Sequence, residues 1–340
     1  MVSIKEVAKR CGVSVATVSK ALNGKSDIGE ETKMRIRKTA DEMGYLPSAT
    51  ARALRSKRSY SIGVLIGDEE GTGLTDEFFP KIINSLKKSV EKRGYEILFI
   101  NKRIGNHNMT YLEHCRYRDV DGVVLAYTIY ENPEIKELIE SDLPVVTIDS
   151  VFDKKTSVCY DYAQGIKDLL TYIHEKGHRK IAYIHGEGAH TYSVTKERVD
   201  SFYATMAEFG LDVPDEYMKK GEYLNFRKAK RLTAELLDLP DPPTCILYPN
   251  DFSALGGIGE IYERKLAIPD DISIAGYDGI PVSRAVTPEL TTLEQDLDRM
   301  GEAIAENIVL LIERSGLSEP KRVLIQGKLS PGQSVGTPHE

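Results

Sequence analysis

Two periodicities divide the chain. Over residues 4–44 apolar positions recur at three- and four-residue spacing, whereas from Ser61 onward short apolar runs alternate with helical stretches. At the start, Ser3 stands three residues before Glu6, a spacing at which hydroxyl and carboxylate reciprocally cap a first turn, so a helix is predicted from Ile4. Gly12 interrupts it, and Ser14 offers a second cap before V-A-T-V-S-K-A-L, predicting a helix from Val15 to about Leu22. Two short helices joined by a Gly-containing turn, with small Ala8 at their crossing, form a helix-turn-helix pattern. The start of the second helix, Val15, Ala16 and Lys20, then faces base edges in the major groove. A third helix is predicted from Glu30 to Gly44, with Thr32, Ile36, Thr39 and Met43 inward and Lys33, Arg35, Arg37 and Lys38 on a polar face.

The next piece, Y-L-P-S-A-T-A-R-A-L-R-S-K-R, is about two turns long. A helix of that length is marginal alone, so this linker is expected to be ordered only when held, with Arg52, Arg55, Lys57 and Arg58 pointing to DNA as the holder. Leu54 is an apolar side chain suited to wedge between base steps of a minor groove.

Beyond the linker the runs S-I-G-V-L-I, Y-E-I-L-F-I, D-G-V-V-L-A-Y, P-V-V-T-I-D, K-I-A-Y-I-H-G, T-C-I-L-Y-P-N-D and I-S-I-A-G-Y-D read as buried strands between helices. That alternation implies parallel sheets covered on both faces, in which ligands bind beyond the carboxyl ends of strands. Polar residues at those ends are Asp68, Arg103, Tyr127, Asp161, Asn250, Asp251 and Asp278, joined by helical Arg198 and by Gln295. Carboxylates, an amide and an Arg suit the hydroxyls of a sugar, and Phe79, Tyr127 and Tyr192 could cover its flat faces. Asp and Asn at such positions also serve as ordinary helix caps.

Charge sharpens the division. The whole chain carries −7, but residues 1–60 hold 13 Lys+Arg against 6 Asp+Glu, leaving 32 against 46 for the remainder. A basic head on an acidic body fits one small domain that meets phosphate and a larger one that does not. The 41% hydrophobic and 29% charged content fit a soluble protein large enough for two or three domains. No secretory leader or membrane-length apolar run stands out, so a cytoplasmic, nucleoid-associated bacterial protein without membrane contact is expected. Cys11, Cys115, Cys159 and Cys245 match no metal or redox spacing, and no metal or other cofactor is expected.

The runs S-I-K-E-V-A-K-R-C-G-V-S-V-A-T-V-S-K-A-L-N, G-Y-L-P-S-A-T-A-R-A-L and S-I-G-V-L-I closely resemble the lac repressor family of bacterial transcription regulators, across essentially the whole chain. The resemblance implies a DNA-binding set of Ser3, Ser14, Val15, Ala16, Thr17, Ser19, Lys20, Asn23, Ser48, Ala51, Arg52, Leu54 and Arg55. In it Val15, Ala16 and Lys20 choose the operator, Thr17, Ser19 and Asn23 hold backbone or base edges, and Leu54 intercalates. It also sets Arg198, Asn250, Asp251, Asp278 and Gln295 at effector contacts. This chain departs from the family at Lys20, where Arg is commoner, at Ser48 and Tyr162, where Asn is usual, and at Ser201, where Gly is usual. The loop D-E-E-G-T-G-L-T-D-E-F-F is also longer and more acidic.

The expected architecture is an all-α helix-turn-helix domain over 1–46, a hinge helix over 47–59 and a two-lobed α/β core over 60–335. That core resembles periplasmic binding proteins, with parallel sheets flanked by helices and the chain crossing between lobes near 160 and 290. The expected function is a homodimeric repressor of a near-palindromic double-stranded operator, controlled by a small-molecule effector, a sugar or sugar derivative. A purine-responsive repressor is the alternative within the family. From other classes, a solute-binding protein lacks its leader here and would not carry a basic head. An enzyme finds little support, because G-E-G-A-H lacks the third Gly of a dinucleotide loop and no nucleophile–base pair is visible.

Overall fold

The structure is a computed structural model and describes residues 2–46, 58–66, 78–126, 132–188, 192–314 and 319–339. The chain separates into two compact units, Met1–Tyr60 and Ser61–Glu340.

In the first unit α1 (Ile4–Cys11) begins where the reciprocal cap predicts it. The Ser3 amide donates to Glu6 Oε2 at 2.7 Å while Ser3 Oγ accepts from the Glu6 amide at 3.4 Å. Gly12, at φ 64°, ends the helix in a left-handed turn that a side chain would strain. Ser14 caps α2 (Val15–Leu22) by accepting from the Thr17 amide at 3.1 Å. With α3 (Glu30–Glu42) these helices enclose Val7, Ala8, Val18, Ala21, Ile36 and Ala40. Full burial of Ile36 alone contributes about 2 kcal/mol.

The inward face of α3 differs from the expected one. Lys33, Ile36 and Ala40 form it, and Thr32, Thr39 and Met43 flank it. Lys33 therefore leaves the polar face. Its aliphatic stem covers the core while its ammonium reaches Glu30 at 2.7 Å.

The second unit contains two parallel sheets. The first has the order β13-β7-β6-β5-β1-β2 and uses β1 (Ser61–Ile66), β2 (Glu96–Phe99), β5 (Gly122–Ala126), β6 (Val145–Ile148), β7 (Thr156–Tyr160) and β13 (Arg322–Ile325). Around it pack α4 (Phe78–Glu91), α5 (Tyr111–Tyr117), α6 (Pro133–Glu140) and α12 (Leu297–Glu313). Between β2 and α5 lies a small hairpin of β3 (Arg103–Ile104) and β4 (His107–Asn108).

The second sheet, of order β11-β10-β8-β9, uses β8 (Ile181–His185), β9 (Met218–Lys220), β10 (Cys245–Leu247) and β11 (Ser273–Ala275). Its helices are α7 (Tyr162–Glu175), α8 (Tyr192–Glu208), α9 (Phe226–Leu237), α10 (Asp251–Glu263) and the short α11 (Val282–Ala285). An antiparallel pair, β12 (Thr292–Glu294) with β14 (Lys328–Ser330), completes the fold. Every position of β5, β6, β7, β8, β10 and β11 is buried, as strands covered on both faces require.

The chain passes from the first sheet's lobe to the second's between β7 and α7 and returns between β12 and α12. A third passage, absent from the sequence reading, runs from β13 to β14. Connections this short leave the lobes joined along one side and put a cleft at the carboxyl ends of both sheets.

Candidate functional site

The cleft holds a cavity of about 100 Å³ lined from both lobes. From the first come Phe78, Phe79, Ile148, Asp149 and Ser150; from the second come Val194, Arg198, Tyr223, Leu224, Asn250, Asp278 and Gln295, with Tyr162 at the passage between them.

Arg198 is its centre. Only 3% exposed, it projects from α8, donates from NH1 to the Pro249 carbonyl at 2.8 Å, and is faced by three tyrosine rings. Its guanidinium carbon lies 3.7 Å from the ring centre of Tyr277, 4.5 Å from Tyr162 and 5.7 Å from Tyr223. A cation so flanked keeps its charge and a fixed plane in a desolvated place. Asp278 stands 3.8 Å from NH2 and accepts from Gln295 Nε2 at 2.6 Å. Two buried polar atoms in this group, Arg198 Nε and Gln295 Oε1, have no hydrogen-bond partner. Such orphans are rare in interiors and mark places where a ligand or water completes the set.

On the opposite wall Asp149 follows β6. Its carboxylate accepts from the Tyr162 hydroxyl at 2.8 Å and the Tyr160 amide at 3.1 Å. Burial pushes the Asp149 carboxyl up to about 6, with those two donors and Arg198 pulling the other way. Asp149 and Asp278 both have positive φ, 55° and 99°. Two non-glycine residues held in sparsely populated backbone regions on facing walls of one cavity are the kind of strain that clusters at ligand sites. Tyr223 can lie against the backbone of Gly186 because that residue has no side chain, a Cβ there falling 2.2 Å from the ring.

Of the sequence-derived effector set, the structure brings Phe79, Arg198, Asn250, Asp278 and Gln295 together at the cavity. It does not bring Arg103, Asp161 or Asp251 there. Arg103 lies on the exposed β3–β4 hairpin that follows β2, the edge strand farthest along the sheet, and its Nε donates to the Gly105 carbonyl. Asp161 is the N-cap of α7, accepting from the Gln164 amide at 3.0 Å and from Gln326 Nε2 at 2.9 Å. Asp251 is fully buried behind the cavity, accepting from Thr292 Oγ1 at 2.6 Å and the Ile280 amide at 2.9 Å. Asn250 does both jobs, lining the cavity and capping α10 through the Ser253 amide. Asp68 and Tyr127 lie outside the described residues, as does the side chain of Tyr192.

Asp149, Ser150 and Tyr223 line the cavity without belonging to the sequence-derived set, and the sequence marks Tyr162 only as a departure from a family pattern. Asp149 was within reach, since it ends the run P-V-V-T-I-D and the strand-end rule applies to it. Tyr223 was not: it follows β9, whose M-K-K carries no apolar signal.

In the head, Ser3, Ser14, Val15, Ala16, Lys20 and Asn23 are exposed, with Thr17 and Ser19 half-buried beside them. Val15 is 40% exposed although apolar, whereas Val18 and Ala21 of the same helix are buried. Lys20 pairs with Asp27 at 2.6 Å, and the Asn23 amide donates to the Ser19 carbonyl. Ser48, Ala51, Arg52, Leu54 and Arg55, and the expected hinge helix with them, lie outside the described residues. Among the described residues no group of His, Cys, Asp and Glu could hold a metal ion, and no helix is long and apolar enough to cross a membrane.

Comparison with known proteins agrees with this division. Residues 3–48 match the family described as bacterial regulatory proteins, lacI family, and residues 170–335 match the periplasmic binding protein-like domain. The ribose operon repressor of Escherichia coli (strain K12) is 30% identical over 326 residues, covering 94% of this chain and 96% of that protein. The HTH-type transcriptional repressor PurR of Pasteurella multocida (strain Pm70) is 31% identical over 334 residues, with 96% of each covered. Among solved structures, the lac repressor dimer bound to operator and the anti-inducer ONPF superposes with a TM-score of 0.78 over 98% of this chain and 99% of that one, at 22% identity. With a lacI-type head, a binding-protein-like core and full-length relatives that are repressors, the chain belongs to the lac repressor family and is a DNA-binding transcriptional regulator.

Proposed function

We propose that this regulator is a homodimer whose two heads hold a near-palindromic operator and whose DNA affinity is set by a sugar bound between its lobes. In the head, α2 enters the major groove with Val15, Ala16 and Lys20 toward base edges and with Thr17, Ser19 and Asn23 beside them. The exposure of Val15 beside buried Val18 and Ala21 supports that orientation. Lys20 is held by Asp27 in a pair half exposed on both sides, which costs little to break. Residues 47–57, with Ser48, Ala51, Arg52, Leu54 and Arg55, complete the DNA contact. Two heads on a two-fold axis read enough base pairs for specificity, which one recognition helix does not.

The observation that carries the effector reading is Arg198, held rigidly by Pro249 and the tyrosine rings with Nε unpartnered beside unpartnered Gln295 Oε1. A hydroxyl-bearing ligand accepts from the first and donates to the second. The name of the ribose operon repressor points to the same ligand class. The purine alternative is less well served. The rings of Tyr162 and Tyr277 already face the guanidinium, and Phe78 and Phe79 meet edge to face at 77°, so these four rings offer a flat base no parallel pair of faces.

Effector binding acts by changing the relation of the lobes and hence the spacing of the two linkers. The test is operator binding by fluorescence anisotropy with a panel of pentoses, hexoses and purines. A change in operator affinity of tenfold or more with a sugar supports the reading. A response to purines alone replaces the sugar with a nucleobase, and no response to any of them removes the switch.

A further inference from the structure

The cavity is unevenly charged. Among the described residues its lining holds two carboxylates, Asp149 and Asp278, against the single guanidinium of Arg198. That one cation is already opposed by Asp278 at 3.8 Å and spends NH1 on the Pro249 carbonyl. The hydrogen-bonding inventory leans the same way. Gln295 Oε1 is an unpartnered acceptor and can be completed only by a donor, and the Asp149 and Asp278 carboxylates only accept.

We infer that this cavity selects an uncharged polyol and rejects the corresponding sugar acid, with Asp149 as the residue that sets the discrimination. The inference rests on the sugar reading above and narrows it. A hydroxyl accepts from Arg198 Nε and donates to Gln295 Oε1 or to either carboxylate, so a polyol completes both orphan atoms. A ligand carboxylate in that place only accepts: it satisfies Arg198 Nε but cannot itself donate to Gln295 Oε1, which is left to the acid's other hydroxyls. It also gathers three carboxylates around one guanidinium in a desolvated cleft, and like charges so placed resist ionising together.

Asp149 is the carboxylate on the wall opposite Arg198. Asp278 stands 3.8 Å from the guanidinium, whereas Asp149 is stabilised first by the Tyr162 hydroxyl and the Tyr160 amide, with Arg198 adding to them and Glu197, a further negative charge, working against them. Its raised proton affinity, to about 6, follows from that desolvation. Near neutral pH it is ionised and faces the ligand as a second negative charge. In the Asp149→Asn variant the amide oxygen still accepts the Tyr160 amide and the amide nitrogen can donate to the Tyr162 hydroxyl oxygen. The wall is kept and the charge is lost.

Titration calorimetry on the full chain at pH 7.5 with the ring-matched pairs glucose and glucuronate, and galactose and galacturonate, tests this. The expected result is a neutral sugar that binds at least tenfold tighter than its own acid, with the gap narrowed at least threefold in Asp149→Asn. An acid that binds as tightly as its neutral partner overturns the inference while leaving the sugar reading intact. A gap unchanged in Asp149→Asn overturns the role of Asp149. Binding of neither set overturns the sugar reading and this inference with it. The wild-type comparison stands whether or not the variant folds.

Discussion

The head and the cleft are encoded at opposite ends of sequence range. In the head, both caps act across three residues, Ser3 with Glu6 and Ser14 with Thr17, and the side chains assigned to DNA outside the linker fall within residues 3–23. In the cleft, Asp149, Arg198, Asp278 and Gln295 meet only after two sheets have formed and the chain has passed between lobes. The head carries an excess of basic residues, while the cleft buries a polar cluster with two carboxylates to one guanidinium among the described residues. A local surface tolerates loss by degrees; a cluster assembled over long range fails as a unit.

Salt separates the two most strongly. If the head works through phosphate, operator affinity falls on the order of 10³-fold or more between 50 and 200 mM salt for six or more phosphate contacts. Effector affinity of the cleft, for an uncharged ligand, stays flat over the same range. Anisotropy for the operator and calorimetry for the sugar give both curves from one preparation. Parallel curves would break the comparison.

Next in size is Arg198→Ala. It removes the cation that Pro249, Tyr162, Tyr223 and Tyr277 hold in place and takes away the positive charge 3.8 Å from the Asp278 carboxylate. Effector affinity is expected to drop about 100-fold, the loss that goes with breaking a charge-assisted bond in a buried site, while effector-free operator binding keeps its wild-type salt curve. An effector response that survives would move the site elsewhere.

That asymmetry also explains what could be read from the chain without a structure. Helix starts at Ile4 and Val15 and the alternation of the core are local patterns, and the structure has them where the spacing puts them. The polar cluster is half legible. Strand ends name Asp278 and Asn250 because the parallel topology sends every such end to one side. The same rule also names Arg103, whose strand lies at the edge of its sheet, and Asp161, whose carboxylate is spent on a helix cap. Neither the edge position of a strand nor the competing use of a carboxylate is written in the residue itself. Lys33 fails for a related reason: a charged residue with a long stem can sit on an inward face, and periodicity scores only its head group.

Asp251 tests the long-range half through stability. Asp251→Ala leaves the Thr292 hydroxyl and the Ile280 amide unpaired in the interior, which costs about 2–4 kcal/mol. Denaturant unfolding followed by circular dichroism reads it as an earlier core transition, with the head transition unmoved. The wild type adds a pH signature. Burial pushes the Asp251 carboxyl up to about 8 from an ordinary 3.8, so over that window the folded state holds a proton the unfolded state has released. Core stability therefore falls as pH rises between these values, and Asp251→Asn flattens that slope. A core whose stability rises with pH through the window would contradict the burial argument.

Ser14→Ala is the smallest change and isolates the local half. Its hydroxyl accepts from the Thr17 amide at 3.1 Å, and nothing else in the first turn of α2 replaces that bond. Losing the cap costs about 1 kcal/mol. Hydrogen exchange on the full chain should accelerate about fivefold in the peptide covering α2, an amount that follows from that free energy if the helix opens as a unit. Operator affinity should fall by a similar factor per head, because Val15, Ala16 and Lys20 are presented by the frayed turn and by the one after it. Effector affinity should not change, since among the described residues none that lines the cleft lies in that unit. If effector binding weakens along with the helix, head and cleft are one cooperative body and the division by sequence range does not hold.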